Sequence, residues 1–273
     1  MGRRVTVGLL LVGAAVVPSV TVSSNNVPAG TAAASMSALM VHSQSEPHAA
    51  SQSRNWSGYV KAGSGFTSAA GTFRVPTLKL TYPGYSSTWV GVGGATAADG
   101  YLIQTGIEAD VVGGHALYYA WWEVITPSNA APEVKFTTVP IKAGDVITAR
   151  VAKATGGNWT MTFSDLTTKK SASKTVAFAG PAKSAEWIEE DTDVNGYIST
   201  APDWQSVAFS GCTASNVNPG LVSSQAVNIV SAPGVLGGLL GQPPIQETST
   251  SAPNSTKNGF TVKWLATGRR SRA

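Results

Sequence analysis

The sequence feature that most constrains the fold is a repeated alternation of apolar and polar residues in short segments bounded by turn residues. Along Val146–Val151, residues with odd numbers are apolar, whereas Thr148 and Arg150 lie among those with even numbers. Gly156 and Gly157 then supply a turn, because glycine adopts positive φ freely. In the following segment, Trp159–Asp165, large apolar side chains again occupy every second position. The pattern predicts a hairpin with one buried face.

Similar segments recur along most of the chain, and no apolar run at helical spacing of ten or more residues lies outside the N-terminal region. The series predicts an all-β domain, a two-sheet antiparallel β-sandwich of the concanavalin or lectin-like kind with curved sheets. The Gly-, Pro- and Ser-rich stretch Gly234–Ser255 is predicted to be a long surface loop. The candidate strands are Trp56–Ala62, Gly71–Val75, Ser87–Val92, Tyr101–Val111, Ala116–Ile125, Val134–Val139, Asp145–Ala152, Trp159–Asp165, Lys174–Ala179, Ser184–Glu189, Ser206–Phe209, Ala226–Val230 and Phe260–Leu265.

The N-terminus has the pattern of a secretory signal peptide. A basic start is followed by an uncharged apolar run and then by small residues up to Ala34. We therefore expect a signal peptide over 1–34, a linker or short pro-segment over 35–53, the β-sandwich domain over 54–268 and a basic tail over 269–273. Ordered structure is expected to begin near Asn55, and the mature protein is expected to be secreted, extracellular and free of the membrane.

The charge distribution gives no support to nucleic-acid binding. The chain has 19 basic and 15 acidic residues, but Arg3, Arg4, Arg269, Arg270 and Arg272 lie in end segments that contain no acid. The central part is therefore close to neutral and lacks a basic stripe.

Scarce histidine and cysteine exclude several kinds of catalysis. Of three histidines, His42 and His48 fall in the expected linker, and His115 follows a turn and is interpreted as a surface residue. Cys212 is the single cysteine and is expected to be a buried thiol. A catalytic triad, a zinc site and a phosphate-binding loop all lack their motifs. We expect no metal or cofactor, so any catalysis must use carboxylates, amides and hydroxyls.

Three candidate strands carry polar residues on an otherwise apolar pattern. In Tyr101–Val111, Gln104 and Glu108 share a face with Gly106 between them. In Ala116–Ile125, Glu123 shares a face with Trp121 and Tyr119. Each pattern could equally belong to a solvated sheet face, and aromatic residues of this kind also bind sugars.

The third segment, Ser184–Asp191, is rich in acids. Glu186 and Glu190 share one face, and Glu189 lies on the other. Carboxyl groups that are close together and poorly solvated raise one another's proton affinity, which suits a general base that later acts as an acid. An exposed acidic turn is the alternative interpretation.

Six blocks, in order over roughly 55–215, resemble the glutamic peptidases, or eqolisins. They are Asn55–Gly58, Ala70–Pro76, Ser87–Gly91, Leu102–Gly106, Ala120–Glu123 and Ala185–Asp191. The resemblance implies a secreted acid endopeptidase that acts as a monomer on polypeptides. It implies that Gln104 and Glu190 form the catalytic pair on a concave sheet face. Glu190 would act as general base and then acid on a bound water, and Gln104 would stabilise the oxyanion.

The resemblance also implies supporting residues. Trp89, Glu108 and Glu123 match positions that line the family's site, and Trp56 and Trp121 lie in matching blocks and are expected to support the site or contact substrate. Gly93 and Tyr119 stand where the family type has acids. Two alternatives remain open: a secreted carbohydrate-binding module without catalysis, with Trp89, Tyr119 and Trp121 as its platform, and a catalytically inactive family member.

Overall fold

The structure, a computed structural model, describes residues 40–42, 47–49, 51–95, 100–231 and 245–265. The expected signal peptide and basic tail lie outside these residues, and the domain boundaries stay predictions. The described residues contain no α-helix and no helix long and apolar enough to cross a membrane. Within these ranges there are two single 3₁₀ turns, at Thr155–Gly157 and Ser223–Gln225.

The described residues form twenty strands joined by turns and loops. In chain order they are β1 (Met40–Val41), β2 (Pro47–Ala49), β3 (Gln52–Ser53), β4 (Trp56–Ala62), β5 (Ser68–Arg74), β6 (Ser86–Gly93), β7 (Leu102–Val112), β8 (His115–Thr126), β9 (Asn129–Ala130), β10 (Val134–Lys135), β11 (Val146–Lys153), β12 (Asn158–Asp165), β13 (Lys170–Ala177), β14 (Ser184–Asp191), β15 (Asp193–Val194), β16 (Tyr197–Ile198), β17 (Ser206–Ala214), β18 (Ala226–Ile229), β19 (Thr248–Thr250) and β20 (Phe260–Trp264).

Two large sheets form the sandwich. The front sheet has ten strands in the order β10-β8-β7-β6-β14-β4-β18-β3-β2, with β9 paired to β8, and the back sheet has seven, in the order β13-β12-β11-β5-β17-β20-β19. Neighbours are antiparallel except β3 and β18, which are parallel. A small third sheet joins β1, β15 and β16. The predicted antiparallel β-sandwich is confirmed.

The main core lies between the inner faces of the two large sheets. Alternation along each strand directs its apolar set inward, as the buried Trp159, Met161 and Phe163 of β12 show. From the front sheet, Trp187 enters this core and its indole N–H donates to the Ala70 carbonyl of the back sheet at 2.7 Å. The hydrogen bond lets a large aromatic side chain be buried without an unpaired N–H.

The outer face of the front sheet is also buried at its centre, which differs from the solvated face that the sequence left open. Every residue of β6 and β14 is buried. A second apolar cluster, separate from the main core, lies on this outer face and includes Trp56, Trp89 and Trp121. Polar residues on this face are therefore in a site with little water.

Some predicted segments differ from the observed ones. The expectation that ordered structure begins near Asn55 is incomplete, because three short strands precede it. β1 pairs with β15 and β3 with β18, both far along the chain, and β2 pairs with β3. Thr248–Thr250 forms β19 at the edge of the back sheet, so the predicted loop Gly234–Ser255 is partly strand. Such edge pairings depend on a distant partner strand and leave little local pattern. His115 is exposed and Cys212 is a buried free thiol, as expected.

Gly106 is expected to be essential for the contact between β6 and β7. A Cβ added there would lie 2.2 Å from the Thr88 carbonyl oxygen and 2.5 Å from Trp89 Cβ. We expect Gly106→Ala to lower the free energy of unfolding by about 2 kcal/mol or more, because overpacking forces the backbone to shift. Urea denaturation measures the change. Ala116→Val, at an exposed position of β8, is the control and should change stability little; equal losses in both variants would contradict the prediction.

Candidate active site

The register of the front sheet places Gln104 and Glu190 on the same face. Gln104 on β7 pairs with Gly91 on the central strand β6, and Glu190 on β14 pairs with Ser87 of the same strand. Positions 87 and 91 are four residues apart, so their side chains point to the same side of the sheet. The sequence-based prediction of a shared face agrees with this geometry.

Glu190 is fully buried and is held by several donors. The Trp89 indole N–H donates to its Oε2 at 2.7 Å, and the Asn55 side-chain amide donates to its Oε1 at 3.3 Å. A buried carboxylate requires such donors, since an unpaired charge is strongly disfavoured away from water. These contacts fix the direction of the carboxylate on the outer face.

Gln104 is also fully buried and is oriented by a second acid. Its amide nitrogen Nε2 donates to Glu123 Oε2 at 2.7 Å, across the β7–β8 pair. An amide nitrogen carries two hydrogens, so one stays available for another acceptor. Its Oε1 has no hydrogen-bond partner among the described residues. Glu123 thus orients the Gln104 amide and fixes the direction in which its second N–H points.

The other residues predicted from the sequence lie on the same face. Trp56 packs edge-on against Trp89, with ring centroids 4.8 Å apart. Trp89 pairs with Gly106 across β6 and β7, and its Cα and Cβ lie against the side of the glycine that has no side chain. Glu108 accepts a hydrogen bond from Thr192 Oγ1 at 3.2 Å. The structure therefore brings all seven candidate residues to one face.

His42 is the main residue that sequence reasoning missed. The sequence predicts a linker at this position, but His42 is fully buried at the centre of the site. Its ring stacks on Trp121, with centroids 3.9 Å apart and an interplanar angle of 16°. Its Nδ1 lies 3.2 Å from Glu190 Oε2. The polar, small residues around it carry no periodic signal, so no local pattern indicated this position.

Glu133, Asn55 and Ser87 are further site residues that the sequence did not single out. Glu133 Oε2 lies 3.1 Å from His42 Nε2, and Ser87 Oγ lies 3.3 Å from His42 Nδ1. Asn55 and Ser87 stood within the matching blocks, which was the available signal. Glu133 lies just before β10, outside any candidate strand.

Burial and crowding alter the protonation of this cluster. Burial raises the pKa of Glu123 to about 8, although the charge of His42 and the hydrogen bond from Gln104 oppose the shift. Burial, together with the charge of Asp110, raises the pKa of Glu108 well above its ordinary value. Burial likewise raises the pKa of Asp110 to about 7. These carboxyl groups therefore stay neutral at acid pH.

His42 differs from these carboxyl groups because its surroundings favour the charged form of its side chain. Burial alone would lower the pKa of His42, but hydrogen bonds to Glu133 and Glu190 and the charge of Glu123 outweigh burial and raise it to about 10. His42 is thus an imidazolium at neutral and acid pH. Both ring N–H groups then donate to carboxylates, Nδ1 to Glu190 and Nε2 to Glu133, with Glu108 Oε1 at 3.3 Å from Nε2.

One group of side chains has the composition of a metal site. Ligand atoms of His42, Glu108 and Glu133 lie within 4.8 Å of one another. A metal ligand must be a neutral imidazole, whereas the surroundings of this ring favour its protonated form. Hydrogen bonds from an imidazolium account for the same arrangement of atoms.

Glu186 and Glu189 lie on the same strand as Glu190, and their surroundings differ from each other. Glu186 is fully buried, and neither of its carboxyl oxygens has a hydrogen-bond partner among the described residues. Burial raises the pKa of Glu186 well above its ordinary value. Glu189 points to the opposite face, where Thr88 Oγ1 donates to its Oε2 at 2.5 Å. Burial also raises the pKa of Glu189. Both are therefore protonated acids in acid solution.

The fold and the site together define the class of protein. It is an antiparallel β-sandwich whose outer sheet face carries a buried cluster of carboxyl, amide and indole groups. The Peptidase A4 family model matches residues 54–239. The chain belongs to the Peptidase A4 family, which confirms the resemblance to glutamic peptidases.

Two curated relatives show moderate similarity. The chain is 29% identical to Aspergillopepsin-2 of Aspergillus niger over 190 residues, which are 60% of this chain and 65% of that protein. It is 28% identical to Scytalidopepsin B of Scytalidium lignicola over 143 residues, which are 50% of this chain and 51% of that protein. The chain thus spans between about half and two thirds of the length of these relatives.

Solved structures support the same fold. A scytalido-glutamic peptidase with a transition-state analogue inhibitor has a TM-score of 0.59 and 21% identity, covering 78% of this chain and 98% of that one. The SCP-B structure, an eqolisin in complex with the tripeptide Ala-Ile-His, has a TM-score of 0.52 and 21% identity, with the same coverage. At these identities the likeness concerns the fold.

The buried acids predict that the protein is more stable in acid than at neutral pH. A carboxyl whose pKa is higher in the folded state contributes stability below its unfolded value, and this contribution is lost as pH rises through the folded value. For Glu123 that window runs from 4.5 to about 8, and for Asp110 from 3.8 to about 7. We expect the Tm to fall by at least about 5 °C between about pH 4 and pH 8. Thermal denaturation followed by circular dichroism measures it.

Glu186→Gln is the informative variant for this prediction. Its amide cannot ionise, so the Tm should depend less steeply on pH than in the parent protein. Glu247→Gln, at a partly exposed position, is the matched control and should leave the slope unchanged. A Tm that stays constant or rises toward pH 8 in the parent protein would contradict the prediction.

Proposed function

We propose that the protein is a secreted acid endopeptidase that hydrolyses peptide bonds with Glu190 and Gln104. The observation that carries the proposal is the shared face of these two side chains in a water-poor site of a chain that belongs to the Peptidase A4 family. A carboxylate and a primary amide are the minimal set for activating water and stabilising an oxyanion. Neither role requires a metal or cofactor.

Glu190 is the general base and then the general acid. In its ionised form it takes a proton from a bound water, whose oxygen attacks the carbonyl carbon of the scissile bond. After the C–N bond breaks, the proton on Glu190 passes to the leaving amine, and the carboxylate is regenerated. Trp89 and Asn55 support this role because their N–H groups hold both carboxylate oxygens in place.

Gln104 stabilises the tetrahedral intermediate. The carbonyl oxygen becomes an oxyanion and accepts a hydrogen bond from Nε2, a contribution of about 2.7–4 kcal/mol for one such donor in other enzymes. Glu123 positions the amide through the 2.7 Å hydrogen bond from Nε2. Because the neighbouring carboxyls Glu108 and Glu123 are neutral in acid, little extra negative charge opposes the oxyanion there.

The substrate is a polypeptide, and the enzyme acts as a monomer outside the cell. Family membership supports this substrate class, and a structural neighbour is described in complex with the tripeptide Ala-Ile-His. The secretory pattern of the N-terminus supports the location. Trp89 and Trp121 are fully buried, and Trp89 donates to Glu190, so they do not form an open sugar platform.

Substitution of the pair tests the mechanism. We expect Glu190→Gln to abolish peptide cleavage at about pH 2 to 5, because no base remains to activate water. We expect Gln104→Ala to lower kcat by about 10²–10³-fold with a smaller change in KM, because the lost donor acts on the intermediate. The assay uses a peptide mixture with pepstatin and a chelator present. Before the assay, the protein is held in acid until its N-terminal residue no longer changes.

Glu189→Gln is the matched control, because Glu189 is adjacent in sequence but faces away from the site. It should retain most of the activity. Circular dichroism establishes that each variant is folded. Full activity in Glu190→Gln, or loss of activity on chelation, would overturn the mechanism. Glycan binding by a folded protein that cleaves no peptide would instead favour the carbohydrate-binding alternative.

A further inference from the structure

Three buried oxygen atoms on the outer face of the front sheet have no hydrogen-bond partner among the described residues. They are Oε1 of Gln104 and both carboxyl oxygens of Glu186. Neither side chain has exposed surface. Buried polar atoms in native proteins are nearly always hydrogen-bonded, to the protein or to ordered water, so unpartnered atoms near one another indicate a bound group. Neither the Gln104 oxygen nor Glu186 takes part in the proposed catalytic steps.

The sheet register places Glu186 and Gln104 in one row across the central strand. Glu186 on β14 and Gln104 on β7 both pair with Gly91 of β6, one from each side. Residues directly opposite each other on paired strands point to the same face, so both side chains lie on the outer face. Neighbouring strands are about 4.8 Å apart, which puts the two Cα atoms about 10 Å apart. Two long polar side chains can approach each other across that distance.

Gly91 adds no side chain to the space between them. A Cβ at Gly91 would lie 2.8 Å from Cζ3 of Trp89 and 3.3 Å from Cβ of Gln104. The edge of the Trp89 ring therefore lies against Gly91, where it gives the row an apolar floor. A polar group bound above this floor would have Glu186 on one side and Gln104 on the other.

The surroundings of Glu186 are largely apolar. Val60 pairs with it on β4, and its neighbours on the same face of β14 are Ile188 and Ser184. None of these three titrates, and only Ser184 is polar, yet both carboxyl oxygens lack a partner among the described residues. Burial raises the pKa of Glu186 well above its ordinary value. In acid it is thus a neutral carboxyl with one O–H donor and one C=O acceptor.

A single water satisfies all three oxygen atoms. It accepts a hydrogen bond from the Glu186 O–H, donates one hydrogen to the Glu186 carbonyl oxygen and donates the other to Gln104 Oε1. Buried waters in proteins typically make about three hydrogen bonds of this kind. The number of donors and acceptors therefore matches one water and leaves none of these atoms unpaired.

The orientation of the Gln104 amide decides whether it can stabilise an oxyanion. With the amide turned over, Oε1 would replace Nε2 and would repel the developing negative charge. Glu123 holds the productive orientation by accepting from Nε2. In acid, however, burial keeps Glu123 neutral, and a neutral carboxyl can donate to Oε1 as well as accept from Nε2. A donor on the other side of the amide removes this ambiguity, because Nε2 cannot accept from it.

We propose that Glu186 is a positioning residue for the oxyanion donor and holds a buried water that donates to Gln104 Oε1. This proposal rests on the proposed function, since it assigns a further residue to the same reaction. Glu186 contacts neither the scissile bond nor the attacking water. It acts through Gln104, by fixing the direction in which the second N–H of Nε2 points.

Two substitutions separate positioning from structural support. Glu186→Gln keeps one donor and one acceptor, so it can hold the same water and should retain most of the activity. Glu186→Leu has a similar size but no polar atom. We expect it to lower kcat by about 10- to 100-fold with little change in KM, because a misplaced donor weakens contacts made in the transition state. Steady-state kinetics on a peptide substrate in acid measure both constants.

Glu189→Leu is the matched control. It makes the same exchange at a buried position of the same strand, on the opposite face. It should change kcat little, and circular dichroism establishes that each variant is folded. A Glu186→Leu variant with the parent's kcat would overturn the proposal. An equal loss in Glu186→Gln would also overturn it, since the carboxyl itself and not its hydrogen bonds would then be required.

A crystal structure of the full chain in acid tests the water without reference to activity. We expect one ordered water within hydrogen-bonding distance of the Glu186 carboxyl and of Gln104 Oε1, and the same water in Glu186→Gln. If no ordered water joins the two residues, or if Oε1 accepts from another group, the proposal is wrong. This measurement decides the question even where Glu186→Leu does not fold.

The outcomes distinguish this proposal from the catalytic one. If Glu190→Gln and Gln104→Ala are inactive but Glu186→Leu matches the parent, the catalytic pair stands and the positioning role is wrong. If Glu190→Gln retains full activity, the catalytic proposal is wrong, and the crystal structure still decides whether a water joins Glu186 to Gln104.

Discussion

The burial of carboxyl groups on the outer face of the front sheet is the constraint on which the site depends. Ionised carboxylates are strongly disfavoured away from water, so each group here must be neutral, hydrogen-bonded or paired with a cation. Burial favours the neutral form of Glu186, Glu190 has indole and amide donors, and Glu123 lies between Gln104 and His42. One environment thus produces protonated acids and a positioned base within a few strands of each other.

The sandwich makes that burial possible because the front sheet has apolar groups on both faces. Its inner face packs on the back sheet, and its outer face carries the cluster around Trp89 and Trp121. Small residues on the central strand, Gly91 and Ser87, leave room for longer side chains from the strands on either side. A large side chain at either position would occupy the space into which Gln104 and Glu190 extend.

Sequence reasoning located what depends on local alternation and on matching blocks. Period-two patterns placed Gln104 and Glu190 each on a polar-bearing face, and the family resemblance distinguished Glu190 from Glu186. His42 and Glu133 were missed for a physical reason: their roles arise from contacts across 148 and 91 positions. His42 lies in a polar stretch without periodicity, and Glu133 follows Pro132 outside any candidate strand. Alternation predicts the direction of a side chain but cannot show what covers a sheet face.

The charge state of His42 follows from the same constraint. The pKa of His42 is higher in the folded protein, about 10 against 6.5, so protonation of the ring favours the folded state. That contribution is complete below pH 6.5 and is lost only as pH rises through about 10. Acid therefore does not discharge the ring. The imidazolium stays between Glu190 and Glu133 over the whole range in which Glu123 and Asp110 become protonated.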